Sequence, residues 1–167
     1  MRTLLVGVPL LALAAALQST VLVSLRLLGG TLDLVLLLTL GWTLAGDWEG
    51  GLAWGFIGGV CLDLLSGGPL GGSALALVFV AFLASLSEGR FWRSHVLLPL
   101  ATSLLGTLGF HFIYLIVLSF SGRPVDWLAG VTRIILPALF LNALLIVPIY
   151  HGLRGLRGVV YPAQVKA

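Results

Sequence analysis

Gly51, Gly55, Gly59 and Asp63 recur at intervals of four inside one apolar run, so a carboxylate shares a helix face with three residues that have no side chain. In a bilayer, small residues at this spacing admit a neighbouring backbone, because lipid is as apolar as leucine and helix association rests on packing and polar contacts. The stripe is therefore expected to face protein. An ionised aspartate at a helix centre costs about 2.5 to 3.5 kcal/mol on insertion scales, so Asp63 calls for a partner or a wet crevice.

The run must lie in a membrane, because 59% of the residues are hydrophobic and only 9% are charged, whereas roughly a quarter are charged in a soluble domain. Mean hydropathy is +1.14. The apolar runs leave no stretch for an aqueous domain, so residues 1–167 read as a single transmembrane domain. Gly, Pro and polar punctuation divides it into six segments: Leu4 to Leu25, Leu32 to Gly46, Leu52 to Leu65, Leu70 to Leu86, Val96 to Phe120 and Ile134 to Tyr150. The fold class is thus an all-α integral membrane protein with six transmembrane helices. The second and third segments fall short of the roughly 17 to 25 residues a span needs, so they must borrow residues such as Trp48 and Ser66 or form a hairpin that does not fully cross.

A cytoplasmic amino terminus puts Arg2, Arg90, Arg93, Arg154, Arg157 and Lys166 inside, against Arg26, Arg123 and Arg133 outside. This is the direction of the positive-inside rule and places both termini in the cytoplasm. Arg2, the run Leu4 to Leu13 and Ala14-Ala15-Ala16 also fit a signal peptide cleaved near Leu17. Cleavage would leave five helices and disturb the charge asymmetry, so the segment is read as a retained first helix. The pI near 9.6 comes from nine basic residues and reads as topology signal, not as a nucleic-acid footprint.

On this topology Gln18, Ser19, Thr20, Asp33, Asp63 and His111 all lie towards the outer side, with Arg26, Arg123 and Arg133 capping it. Asp33 and Asp126 suit helix starts. Arg133, just ahead of the sixth segment, is disfavoured by the helix dipole, so a charge pair with Asp63 or Asp33 is expected, with a solvated interfacial arginine as the alternative. Ser103, Thr107 and His111 form one polar face of the fifth helix, and Asn142 stands midway along the sixth; interhelical hydrogen bonding is the default role for both. Pro99, Pro137 and Pro148 are expected to mark kinks.

Catalytic constellations are mostly absent. There is no His-Glu-x-x-His, no paired-cysteine spacing (Cys61 is single) and no phosphate-cradling loop with Lys. Neither a metal site nor a cofactor is expected, and no enzyme activity. Gly71-Gly72-Ser73-Ala74 faintly resembles the Gly-x-Ser-Gly of rhomboid proteases but departs from it at Ala74, and a tight turn feeding a helix accounts for Ser73.

The stretch Gly55-Phe56-Ile57-Gly58-Gly59-Val60-Cys61-Leu62-Asp63-Leu64-Leu65-Ser66, followed by Pro69-Leu70-Gly71, closely resembles the central signature of the bacterial rod shape-determining protein family MreD. Gln18-Ser19-Thr20, Asp33-Leu34 and Asn142-Ala143-Leu144-Leu145 before Pro148 agree with it in order, and Leu32, where members often carry proline, departs from it. The resemblance implies a non-enzymatic scaffold of the cell-elongation machinery in the bacterial inner membrane, supporting peptidoglycan synthesis. It further implies binding to MreC and action alongside RodA, a class B penicillin-binding protein, MreB and membrane lipids. The architecture is also similar to the S components of energy-coupling-factor vitamin transporters, and Ala12-x-x-x-Ala16 matches their small-residue pattern, so solute capture is the alternative. The residues carried forward as packing or structural candidates are Gly51, Gly55, Gly59, Asp63, Gly71, Arg133 and Asn142.

Overall fold

The computed structural model describes residues 2–22, 31–86 and 97–161. Arg26, Arg90, Arg93, His95 and Lys166 lie outside the described residues, as do the ends of the first and fifth apolar segments at positions 25 and 96. Within the described residues the chain is helical, with no strand. Helix α1 (Arg2–Leu17) continues into a π turn (Gln18–Leu22). It is followed by α2 (Leu34–Leu44), α3 (Trp48–Ser66), α4 (Gly72–Ser85), α5 (Leu97–Phe120) and α6 (Trp127–Val160).

Three of these are long and apolar enough to cross a membrane on their own: Thr3–Leu22, Leu97–Phe120 and Trp127–Val160. The third segment does take in Trp48 and Ser66 and reaches 19 residues. The second remains at 11 residues, about 16 Å at 1.5 Å per residue, against a hydrocarbon core of about 30 Å.

Helix α2 can be this short because it is surrounded by protein. It touches all five other helices, and Val35, Leu36, Leu37, Leu40 and Trp42 are at most 1% exposed. A helix sheathed by others need not match the bilayer, provided protein groups satisfy its ends. At its start, Gln18 Oε1 accepts from the Val35 amide at 3.1 Å. At its end, the Arg157 guanidinium donates to the Ala45 carbonyl and, at 2.6 Å, to that of Gly46. A cation there also suits the negative end of the helix dipole. Below that end Trp42 stacks on Trp54 with centroids 4.3 Å apart, and both indole N–H groups are used, on Asp47 Oδ2 (2.9 Å) and the Thr3 carbonyl (3.3 Å).

The sixth helix corrects the sequence boundary. It begins at Trp127, seven residues before Ile134, with Asp126 Oδ1 accepting from the Ala129 amide at 3.0 Å. Helix six then passes through a π turn over Val131–Ile135. Pro137, which has no N–H to offer four residues back, follows that turn, the kind of local adjustment that accommodates proline in a membrane helix.

Candidate functional site

The Gly/Asp stretch builds the hairpin of α3 and α4. Helix α3 ends on Gly67, which adopts a left-handed φ of 64°, and Gly71 opens α4 with φ 88°. Both angles favour glycine, so the two helices are joined by a turn that reverses direction within five residues, 67–71. Along the contact, a Cβ on Gly59 would run into the Ala74 Cα and one on Gly55 would sit 3.1 Å from the Leu77 carbonyl. Gly55 and Gly59 therefore let backbone approach backbone, as expected of small residues at this spacing. Gly51 does not share that neighbour. It faces α2, where an added Cβ would meet Thr43, and Gly58 meets Val35 in the same way. Glycine thus opens α3 on two sides.

Asp63 closes the hairpin. Its Oδ2 accepts from the Gly71 amide at 2.8 Å and the Ala74 amide at 3.4 Å, and its Oδ1 from the Ser73 amide at 2.9 Å. The carboxylate, 2% exposed, is a cap supplied to α4 by the helix before it. It meets amides that have no intrahelical partner and the positive end of the α4 dipole. The expected ion pair with Arg133 does not form. Arg133 is exposed, in the π turn of α6, and with that helix starting at Trp127 the dipole argument that gave it a partner lapses. Sequence reading missed the amides because a helix start carries charge without a charged residue. The signal that could have found them is Pro69-x-Gly71-Gly72-Ser73, a turn and helix start eight to ten residues beyond Asp63.

A second buried group sits where α1, α2, α5 and α6 meet. Asn142 is completely buried. Its Nδ2 donates to Asp33 Oδ2 at 2.9 Å and Thr107 Oγ1 at 3.0 Å, and its Oδ1 accepts from the Asp33 amide at 3.1 Å. Gln18 Nε2 approaches Asp33 Oδ1 at 3.5 Å. His111 donates from Nδ1 to the Thr107 carbonyl at 3.0 Å, which leaves Nε2 3.7 Å from Asp33 Oδ2. Asp33 does stand at the start of α2, yet its side chain makes no cap; Gln18 does that, and the Asp33 carboxylate serves the lateral network instead. The fifth-helix face of Ser103, Thr107 and His111 is buried throughout, with Ser103 Oγ and Thr39 Oγ1 lacking partners among the described residues.

Among the described residues no three His, Cys, Asp or Glu side chains converge as a metal site. What converges is interhelical hydrogen bonding, with each strongly polar group held by backbone or amide partners. At the same end of the bundle a cavity of about 260 Å³ opens beside these groups, with Gln18, Ser73, His111 and Tyr114 on its wall. A comparison with protein families matches residues 1–157 to the model of the rod shape-determining protein MreD. No solved structure matches the chain.

Proposed function

The chain belongs to the MreD family and takes part in rod-shape determination; within that role, we propose that it is a non-enzymatic scaffold of the elongation complex in the bacterial inner membrane. Its work is to present a rigid helical surface to MreC and, directly or through MreC, to RodA, a class B penicillin-binding protein and MreB. The observation that supports this reading is the use made of the family's signature. Gly55, Gly59, Gly71 and Asp63 are spent on closing one hairpin, and Asn142 on joining α6 to α2 and α5. Groups committed in this way hold geometry. They are not poised as nucleophile and base, which need a free reactive atom beside a proton acceptor.

All six helices are proposed to lie within the bilayer, α2 as an internal strut, with both termini cytoplasmic. Reporters fused after Gly89 and after Ala167 then read as cytoplasmic and one after Gly122 as external; an external carboxyl terminus overturns the arrangement. The partner is tested by purification from native membranes. MreC co-elutes if the scaffold reading holds, and crosslinkers walked along each helix mark the surface it covers. Co-elution of an ATPase-coupled module in place of MreC would favour the second reading, solute capture in the manner of an S component. That reading draws on the cavity, whose size falls just below the roughly 300 to 1,000 Å³ of most small-molecule sites.

A further inference from the structure

We propose that the cavity beside Ser73 and His111 binds one neutral, hydroxyl-bearing lipid, head inward and chain directed towards the bilayer. Its volume of about 260 Å³ is room for roughly nine waters at 30 Å³ each, more than a packing defect. Leu62, Phe110, Leu115 and Ile135 make most of it apolar, and no Asp, Glu, Lys or Arg side chain lines it. A phosphate or carboxylate would find no lysine or arginine there and would have the Asp33 carboxylate close behind His111, and a strongly hydrated solute would lose water with little replacement.

Half of the polar wall is buried, while Thr31 and Tyr114 are half-buried and Ser66 is exposed. Ser73 is 4% exposed, Gln18 9% and His111 8%. The Ser73 amide is taken by Asp63, but its hydroxyl has no partner among the described residues, and neither has the hydroxyl of Tyr114 on the same wall. Neither oxygen is sealed off in the protein, so both are open to a partner in the cavity. A glycerol-like head offering hydroxyls can donate to and accept from both. Entry from the bilayer is suggested by the remaining wall, where α5 (Leu115, Leu118) meets the start of α6 (Gly130, Ile134). Gly130, which is buried, has no side chain to fill the seam, and an added Cβ would crowd the Leu115 side chain at 3.3 Å. Ile134 is 44% exposed on the outward face. Aliphatic side chains on both sides of such a gap favour a lipid over a water-borne solute.

The proposal is independent of MreC binding and is tested on the full-length protein in detergent with 1-decanoylglycerol as probe. Thermal unfolding of the wild type is expected to shift upward by several degrees and to saturate, and native mass spectrometry should show a single bound copy. Leu115→Trp, which fills the cavity from its apolar side, should weaken the effect at least tenfold while the variant remains monodisperse, and Ser73→Ala should weaken it less. Ile134→Trp serves where Leu115→Trp does not fold. A neutral lipid mass co-purifying from membranes at one per chain supports the proposal. Absence of a saturable shift in the wild type overturns it, as does an equal shift in a folded cavity-filling variant. A co-purifying anionic or water-soluble ligand that occupies the cavity in place of the probe overturns the lipid assignment.

Discussion

Removing the Asp63 carboxylate should destabilise the protein far more than removing the exposed Arg133. In Asp63→Ala the amides of Gly71, Ser73 and Ala74 all lose their acceptor, the latter two where water does not reach. Hydrogen bonds to charged groups are worth about 1.5 to 3 kcal/mol each, and loss of an N-cap alone costs about 0.5 to 2 kcal/mol. These terms describe one site and do not add, so about 3 kcal/mol is the expected total. For a chain of this length that corresponds to a fall in melting temperature of about 6 to 12 °C. Asp63→Asn retains one carbonyl acceptor but turns an NH₂ towards a second amide, and should lose about half as much. Arg133 is exposed, so Arg133→Ala should stay within about 0.5 kcal/mol of the parent. The double variant should equal the sum of the singles within about 0.5 kcal/mol. Unfolding in detergent, followed by loss of the monodisperse gel-filtration peak, reads all four proteins. A coupling between positions 63 and 133 above that limit, or an Asp63→Ala protein that melts like the parent, would refute the capping argument.

Gly59→Ala should reduce folded yield more than Gly55→Ala, because the added methyl meets the Ala74 backbone in the first case and only a 3.1 Å approach to Leu77 in the second; thermal stability of the two variants side by side checks the order. Gly71→Ala, at φ 88° but with open space around its Cβ, should cost only the backbone term of about 1 to 2 kcal/mol. Asn142→Leu removes the acceptor of the Asp33 amide and the donor to its Oδ2, and should cost about 2 to 4 kcal/mol in the same assay. Arg157→Ala, which uncovers the carbonyls at the end of α2, should cost about 1 to 2 kcal/mol, whereas Arg154→Ala, exposed on the same helix, should be neutral.

What could be read from sequence was whatever depends on residue type at a helical period. The interval of four from Gly51 to Asp63 gave a protein-facing side, and Ser103, Thr107 and His111 gave a buried face, because side-chain volume and polarity repeat with the helix. Asp126 suits a helix start, yet the apolar run of the sixth segment begins only at Ile134, because Gly130, Thr132 and Arg133 interrupt it while the backbone carries on through a π turn. The partner of Asp63 was not legible because it is backbone, and backbone has no letter in the sequence. Gln18 as the cap of α2 was hidden for a related reason: it stands one helix away from the amide it serves. The cavity draws its wall from positions between 18 and 135; within each helix they keep the helical spacing, but no period links one helix's share to another's.

The bond between Asn142 and Asp33 joins residues 109 apart, and that separation sets a timetable. At synthesis rates of about 5 to 20 residues per second, the asparagine follows the aspartate by roughly 5 to 20 s. During that interval a carboxylate at the head of a helix of 11 residues has Gln18 of α1 near it but not the α6 amide, and a charge short of partners in a membrane is held there only at a cost. On the proposed arrangement in the bilayer, α2 is therefore completed late although it is made second, because the start of the helix lacks its α6 partner until the last helix arrives. Chains released after Phe120 would never receive that partner.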